Sequence, residues 1–488
     1  MRISSGAAYA MYMHSDNFNR KQLEHQIKQH DIRCGRSDGP LCRPRPSQPT
    51  PPPLPAYLRL QYSPSTSSPP PPTSARPVSV STDATHTPIS SVSTNSPIPN
   101  SSPRQPDPNT TTNFPTHLQS LFDSSLDLRG PVTDIVRGLA EISGRVVVVH
   151  DSAMSYVVQD VRSIPNAETY IFRALSVFYT YCFNLERLGR ELPFGPEVLP
   201  RLPKSEETMS KEFLEFVKLQ YLHQTFHVAN LYDSSRVIEP EFLESLEREE
   251  ICGKRHFAVG PFNPVDIQPD VTNSAHRHTC LKWLDKQSEK SVVYVSFGTT
   301  TTFTESQIAE LAIGLEKSKQ RFLWVLRDAD KGDVFKNDGE KRVVLPVGFE
   351  DRVEGRGLVV TEWAPQLEIL GHLSVGLFVS HCGWNSSMEA MTRGVAIAAW
   401  PIHSDQPRNA FLLVEVLKVA LMMREWSCRD ELVTSVMVEK VIRKLMDTEE
   451  GAAIRRRSAE LGGELRNSLV EGGVGRKELD SLVCYMRR

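Results

Sequence analysis

The sequence predicts an α/β protein of two doubly wound, Rossmann-type domains, the N-terminal one incomplete. Three observations carry that expectation. From about residue 116 onward, short apolar or β-branched runs alternate with stretches of helical periodicity, as in parallel sheets covered by helices. The alternation comes in two blocks, separated by the polar run 263–278. In the second block, the strand-like run Gly376-Leu377-Phe378-Val379-Ser380 leads through His381-Cys382-Gly383-Trp384-Asn385 into the helix opening Ser386-Ser387-Met388-Glu389-Ala390. A strand, a tight turn and a helix start together present free backbone N–H groups to a phosphate.

The 488 residues suffice for two domains and a tail. The net charge of −3 gives no reason to expect nucleic acid or an anionic membrane as partner. No run of about 20 apolar residues offers a membrane span. The eight cysteines are scattered without a CxxC pair, so neither a zinc site nor a disulfide framework is suggested. Reduced thiols and a cytoplasmic location follow as expectations.

Residues 1–112 do not read as a folded domain. Between Pro40 and Pro115 lie 21 of the chain's 35 prolines, mixed with Ser, Thr and Asn. Such segments supply few ladder donors and little apolar surface to offset backbone ordering, so disorder with local polyproline II is expected. A solvated tail, a ligand for a proline-recognising module and an organelle transit peptide all fit that composition.

The first block, 113–262, has helical spacing at 117–127 and 132–142. The run Val146-Val147-Val148-Val149-His150-Asp151 then reads as a strand buried on both faces, ending at the sheet edge where α/β proteins bind ligands. A helix over 153–164, a strand over 170–173, a short strand at Val237-Ile238 and a strand over 257–261 are expected to follow. The polar segment 263–279 reads as a linker. The second block, 280–488, offers strands at 292–297, 322–326, 357–361, 377–380 and 395–400, and ends in helices.

The span 363–406 closely resembles the signature box of plant UDP-glycosyltransferases: WAPQ, HCGWNS, the following Glu389, then WP and DQ in matching spacing. The phrases SRVIE, GPFNP, CLKWLDKQ, VSFGTTT and HSDQPRNA are most similar to the branch of zeatin O-glucosyl- and O-xylosyltransferases. The resemblance implies a GT-B-like fold. The first block becomes a partial acceptor-binding domain and the second a UDP-sugar donor-binding domain. It implies a monomer that needs no metal or resident cofactor and uses UDP-glucose or UDP-xylose as co-substrate. It further implies inverting transfer of the sugar to a hydroxyl of a small acceptor, zeatin-type cytokinins foremost, with flavonoids and other phenolics as the alternative.

Residue by residue, the resemblance assigns Trp363 to stack on uracil, and Ala364 and Gln366 to bind its edge. Glu389 takes the ribose hydroxyls. His381, Gly383, Trp384, Asn385, Ser386 and Thr299 surround the diphosphate, and Asp405 and Gln406 meet the sugar. The chemistry agrees: an indole offers a flat face, a carboxylate accepts from paired hydroxyls, and a helix N-terminus suits an anion. One departure is Gly394-Val395-Ala396, where the family commonly has Pro last.

On the acceptor side, Asp151 matches the aspartate that orients the catalytic base. The same residue in that position also suits a helix N-cap. The base, a histidine in a glycine-containing loop after a first strand, is not found. His14, His25 and His30 lack such a strand and glycine, no first strand is expected before 146–151, and alternation turns His150 away from Asp151. A UDP-sugar-binding protein impaired in catalysis is therefore the alternative to an active transferase.

Overall fold

The structure is a computed structural model and describes residues 56–60, 115, 118–248, 251–265, 277–298, 301, 303–326 and 345–488. The chain builds two parallel sheets. The first has the order β1-β2-β3-β4-β5, from Ala56–Leu60, Val146–Asp151, Ala167–Arg173, Ala229–Tyr232 and Arg255–Ala258. The second has the order β11-β10-β9-β6-β7-β8, from β6 Val292–Ser296, β7 Arg321–Val325, β8 Gly357–Val360, β9 Val375–Ser380, β10 Ala396–Ala399 and β11 Ala420–Met422. The order of the second sheet reverses at β6–β9, and ligands of open α/β sheets bind at such a point.

The β-branched run of β2 is buried on both faces. Val146 and Val148 pack with Val132, Val136 and Leu139 of α1 (Arg129–Ile142), while Val147 faces Tyr170, Phe172 and the C-terminal helix. Alternation therefore sends His150 to the α1 side and Asp151 to the other.

Several expectations need correction. A strand does precede β2: Ala56–Leu60, within the proline-rich stretch, pairs with it in parallel register from Ala56↔Val146 to Leu60↔His150. A proline-flanked segment is tolerated at a sheet edge because an edge strand needs ladder partners on one side only. The rest of 1–114 lies outside the described residues, as do 266–276 of the linker. The expected helix over 153–164 is two 3-10 turns, Ser152–Met154 and Gln159–Ser163. The short strand lies at Ala229–Tyr232 and not at Val237-Ile238, which follow in a turn.

The final helix, α5 below, also departs from the expected domain plan. Two further helices are needed first: α2 (Val177–Arg187) in the first domain and α3 (Trp384–Arg393) in the second. A short helix, α4 (Gln406–Phe411), follows β10. The last, α5 (Val474–Arg487), returns to the first domain, where Leu479, Leu482, Val483 and Met486 pack on Tyr170, Leu231 and Phe257. Arg145 fastens it through bonds to the carbonyls of Met486 (2.7 Å) and Arg488 (2.8 Å).

The two domains share one apolar cluster. Phe178 of α2 stacks on Phe411 of α4 at 5.8 Å, and Tyr232 and Phe242 join Trp384 and Leu412 in the same core. The two domains are thus joined through apolar packing.

Candidate functional site

The turn after β9 is shaped by two unusual residues. Cys382 is buried with a φ of 64°, and its N–H donates to Ser380 Oγ at 3.1 Å. A non-glycine residue in this left-handed region is held there by its surroundings, and such positions gather at functional sites. Burial pushes the Cys382 thiol far above its usual range, so it stays neutral.

His381 is buried, and its imidazole lies where two glycines leave room. A Cβ at Gly298, whose φ is 72°, would fall 2.6 Å from Nε2, and one at Gly383 would fall 2.5 Å from it. The tip of β6 and the start of α3 therefore approach the ring because neither carries a side chain there. Gly383 caps α3 with extended backbone angles and provides no side chain. The helix dipole favours an anion at this end. At the other end Gly394, with a φ of 68°, stops the helix.

One turn into α3, Glu389 is buried and accepts from Gln366 Nε2 at 2.8 Å. The same nitrogen lies 3.0 Å from Ser386 Oγ, and Tyr294 donates its hydroxyl to Gln366 Oε1 at 3.2 Å. Burial raises the Glu389 carboxyl to about 7, opposed by the Gln366 hydrogen bond. The Gln366 side chain is thus committed to Ser386 and Glu389, leaving Ala364 and the backbone for an aromatic base edge. Trp363 exposes 62% of its surface, and His278 meets it edge-on at 6.3 Å, with His278 Nε2 3.1 Å from its carbonyl oxygen. An indole so open offers a stacking face and little core packing.

Asp405 and Gln406 open α4, both buried. Gln406 Oε1 accepts from the N–H groups of Ile402 (2.9 Å) and His403 (3.0 Å). Its carboxamide oxygen closes its own loop, and its Nε2 lies 3.5 Å from His403 Nδ1. Asp405 Oδ2 accepts from Asn409 Nδ2 at 2.6 Å. The preceding residue, Ser404, has a φ of 58°. Trp384 points away from the turn into the first domain, where Nε1 donates to the carbonyl of Asp233 at 2.7 Å. Only the backbone of Trp384 faces the helix N-terminus as expected. Thr299 lies outside the described residues.

On the first sheet, Asp151 is buried and accepts from Ala153 N at 2.7 Å, capping the 3-10 turn after β2. His150 sits on the opposite face, its Nδ1 2.8 Å from the Asp151 carbonyl oxygen. Burial lowers its pKa to about 4 and keeps it neutral. It is not placed to be oriented by the Asp151 carboxylate. In sequence, β1 is followed by Gln61-Tyr62-Ser63-Pro64, with no histidine until His86. The edge strand exists, but the expected histidine does not follow it.

The region 363–406 was legible as one site from its spacing. Asn409, Ser176, Asp233, Tyr294 and Gly298 were not singled out, although each touches it. Only Asn409, three residues beyond Gln406 on the same helix, carried a local signal.

Two parallel α/β domains, with a glycine-capped helix N-terminus, an exposed indole and a buried carboxylate grouped in the second, form the class of fold in which open sheets bind ligands at a switch point. Comparison with known proteins agrees. Residues 85–264 match "Glycosyltransferase, N-terminal domain", and residues 257–449 match "UDP-glucoronosyl and UDP-glucosyl transferase". The chain is 46% identical to the zeatin O-glucosyltransferase of Phaseolus lunatus over 376 residues, 77% of this chain and 81% of that one. It is equally identical to the zeatin O-xylosyltransferase of Phaseolus vulgaris, covering 82% of it. Among solved structures, a Medicago truncatula UGT complexed with UDP-glucose matches with a TM-score of 0.61 at 28% identity, over 77% of this chain and 81% of the other. A Phytolacca americana UGT complexed with UDP-2fluoro-glucose and pterostilbene matches with the same TM-score and identity, over 78% and 83%. The chain belongs to the plant UDP-glycosyltransferase family, whose reaction moves a sugar from a UDP-sugar, on the GT-B architecture. Among the described residues, no helix is long and apolar enough to cross a membrane.

Proposed function

We propose that the acceptor is a zeatin-type cytokinin hydroxyl, that the donor is UDP-glucose or UDP-xylose, and that transfer inverts the anomeric centre. The acceptor reading rests on the 46% identity to zeatin transferases across 77% of this chain. On the donor side, Trp363 stacks on uracil beside Ala364. Glu389, steered by Gln366, takes the ribose hydroxyls, and the α3 N-terminus with His381, Asn385 and Ser386 takes the diphosphate. Thr299, next to Gly298 in sequence, adds a hydroxyl. Asp405 and the Gln406 amide group bind the sugar. As the glycosidic bond to UDP breaks, charge develops on the diphosphate, and the fixed N–H groups stabilise it.

Proton removal from the acceptor is the weak step. Asp151 matches the residue that would orient a base, but the residues directly after β1, Gln61-Tyr62-Ser63-Pro64, include no histidine. This favours a second reading: the chain binds the donor and turns it over slowly or not at all. Purified full-length chain given UDP-glucose and trans-zeatin is expected to form glucoside far more slowly than the Phaseolus lunatus relative assayed beside it. Rates equal to the relative's would overturn the slow-turnover reading. A flavonoid glucosylated in preference to zeatin would overturn the acceptor.

A further inference from the structure

We infer that Asn409 and Ser176 form a positioning relay that ties the sugar-binding end of the donor site to the acceptor domain; this rests on the donor-site reading above. Both side chains are fully buried, and they come from different domains. Asn409 Nδ2 donates one hydrogen to Asp405 Oδ2 at 2.6 Å and the other to the carbonyl of Cys382 at 3.0 Å. Asn409 Oδ1 accepts from Ser176 Oγ at 2.8 Å. The orientation of the amide is fixed by chemistry. A carboxylate and a carbonyl can only accept, so the nitrogen must face them and the oxygen must face Ser176, which must donate.

Ser176 is in turn held by α2. It is the N-cap of that helix, and its Oγ accepts from Tyr179 N at 3.0 Å while giving its own proton to Asn409. Glu239, from the turn before the helix Pro240–Glu247, accepts from the first N–H groups of α2, Val177 (3.2 Å) and Phe178 (2.7 Å), and so helps to fix the α2 start. Arg408 makes a second tie between the domains, pairing with Glu186 and donating through Nε to the Pro203 carbonyl at 3.1 Å.

One side chain therefore reaches the strained Cys382 turn, the Asp405 carboxylate and the other domain. Asn409 sets the rotamer of Asp405 against the diphosphate turn, and Ser176 sets Asn409 only while the domains are in register. The sugar-binding corner is complete when acceptor and donor domains are docked. A bare nucleotide diphosphate, which makes no use of Asp405, depends on the relay much less.

The test is calorimetric titration of the full chain and its variants with UDP and with UDP-glucose. Asn409→Asp keeps the shape but turns two donors into an acceptor facing Cys382 and Asp405. It is expected to weaken UDP-glucose about tenfold or more and UDP no more than about threefold. Ser176→Ala is expected to weaken UDP-glucose about threefold with UDP unchanged, and Ser176→Thr to restore it. Should Asn409→Asp fail to fold, the Ser176 pair decides. Equal weakening of both ligands, or no change in either, overturns the relay. An unaltered chain that binds neither ligand overturns the donor-site reading and the relay with it.

Discussion

Gln366 Nε2 lies 2.8 Å from Glu389 Oε2, joining a residue three positions beyond the exposed Trp363 indole to the buried carboxylate one turn inside α3. The bond fixes the Glu389 carboxylate, and it favours the ionised form. Burial acts in the other direction and wins, holding the carboxyl at about 7.

A pH dependence of donor binding follows. The ionised carboxylate is the better acceptor for two hydroxyls. UDP-glucose affinity is therefore expected to rise as pH passes from 6 to 8 through the Glu389 pKa of about 7. UDP-glucose suits the measurement because its diphosphate is esterified at both ends. Glu389→Gln should flatten the profile and weaken binding about tenfold, typical of a lost charge-assisted bond. A wild-type affinity independent of pH would contradict this role for Glu389.

The buried carboxyls act on stability in the opposite sense. Asp233, Glu239 and Glu389 are each raised by burial to about 7. Between the unfolded carboxyl range and that value the native state holds more protons than the unfolded one. Each group therefore removes stability as pH climbs from about 4.5 to about 7, and the loss levels off above. The buried histidines His150, His227 and His403, lowered to about 4, 3 and 4, act in the opposite sense over the same range, so the readout is a difference: in denaturant melts the midpoint of Glu239→Gln should fall less, or rise more, with pH than that of the unaltered chain. An unchanged slope in that variant would exclude Glu239 as a contributor.

Trp363 separates binding from folding. With 62% of its surface exposed, it contributes little to the core. Trp363→Ala should leave thermal stability unchanged while weakening UDP by about 1–3 kcal/mol, the usual worth of base stacking on an aromatic ring. Loss of stability without loss of binding would make Trp363 a packing residue.

The glycines around His381 should tolerate nothing larger. Gly298→Ala adds a Cβ 2.6 Å from His381 Nε2 at a φ of 72°. It must either move the imidazole or distort the loop, and a cost of about 1–3 kcal/mol in stability is expected. UDP binding, read by calorimetry, should fall with it. Gly472→Ala, at a φ of 82° in open space, is the control that carries backbone strain alone.

The donor site was readable because its contacts are local. Trp363, Gln366, His381, Glu389 and Asp405 sit on one strand-turn-helix stretch and its continuation, where spacing dictates proximity. What bridges the domains was not readable. Trp384 Nε1 meets the carbonyl of Asp233 across 151 residues, and Ser176 meets Asn409 across 233. No periodicity encodes either pairing. The fold was legible where β-branched runs are long, as in β2, and obscure where strands are short. Ala420–Met422 has three residues and went unrecognised, and Ala56–Leu60 was hidden by its proline neighbours. The 153–164 segment carries apolar residues at helical spacing, but Asp151 caps a single 3-10 turn and the chain continues in turns. Ala396, where the sequence departs from the family pattern, opens β10 in register with Leu377.

The most direct measurement is calorimetric titration of the purified full-length chain with UDP-glucose. A saturable, one-to-one binding curve that Trp363→Ala and Glu389→Gln each weaken is the predicted result. No binding by the unaltered chain, or binding indifferent to both substitutions, would contradict the assignment of this cleft as the donor site.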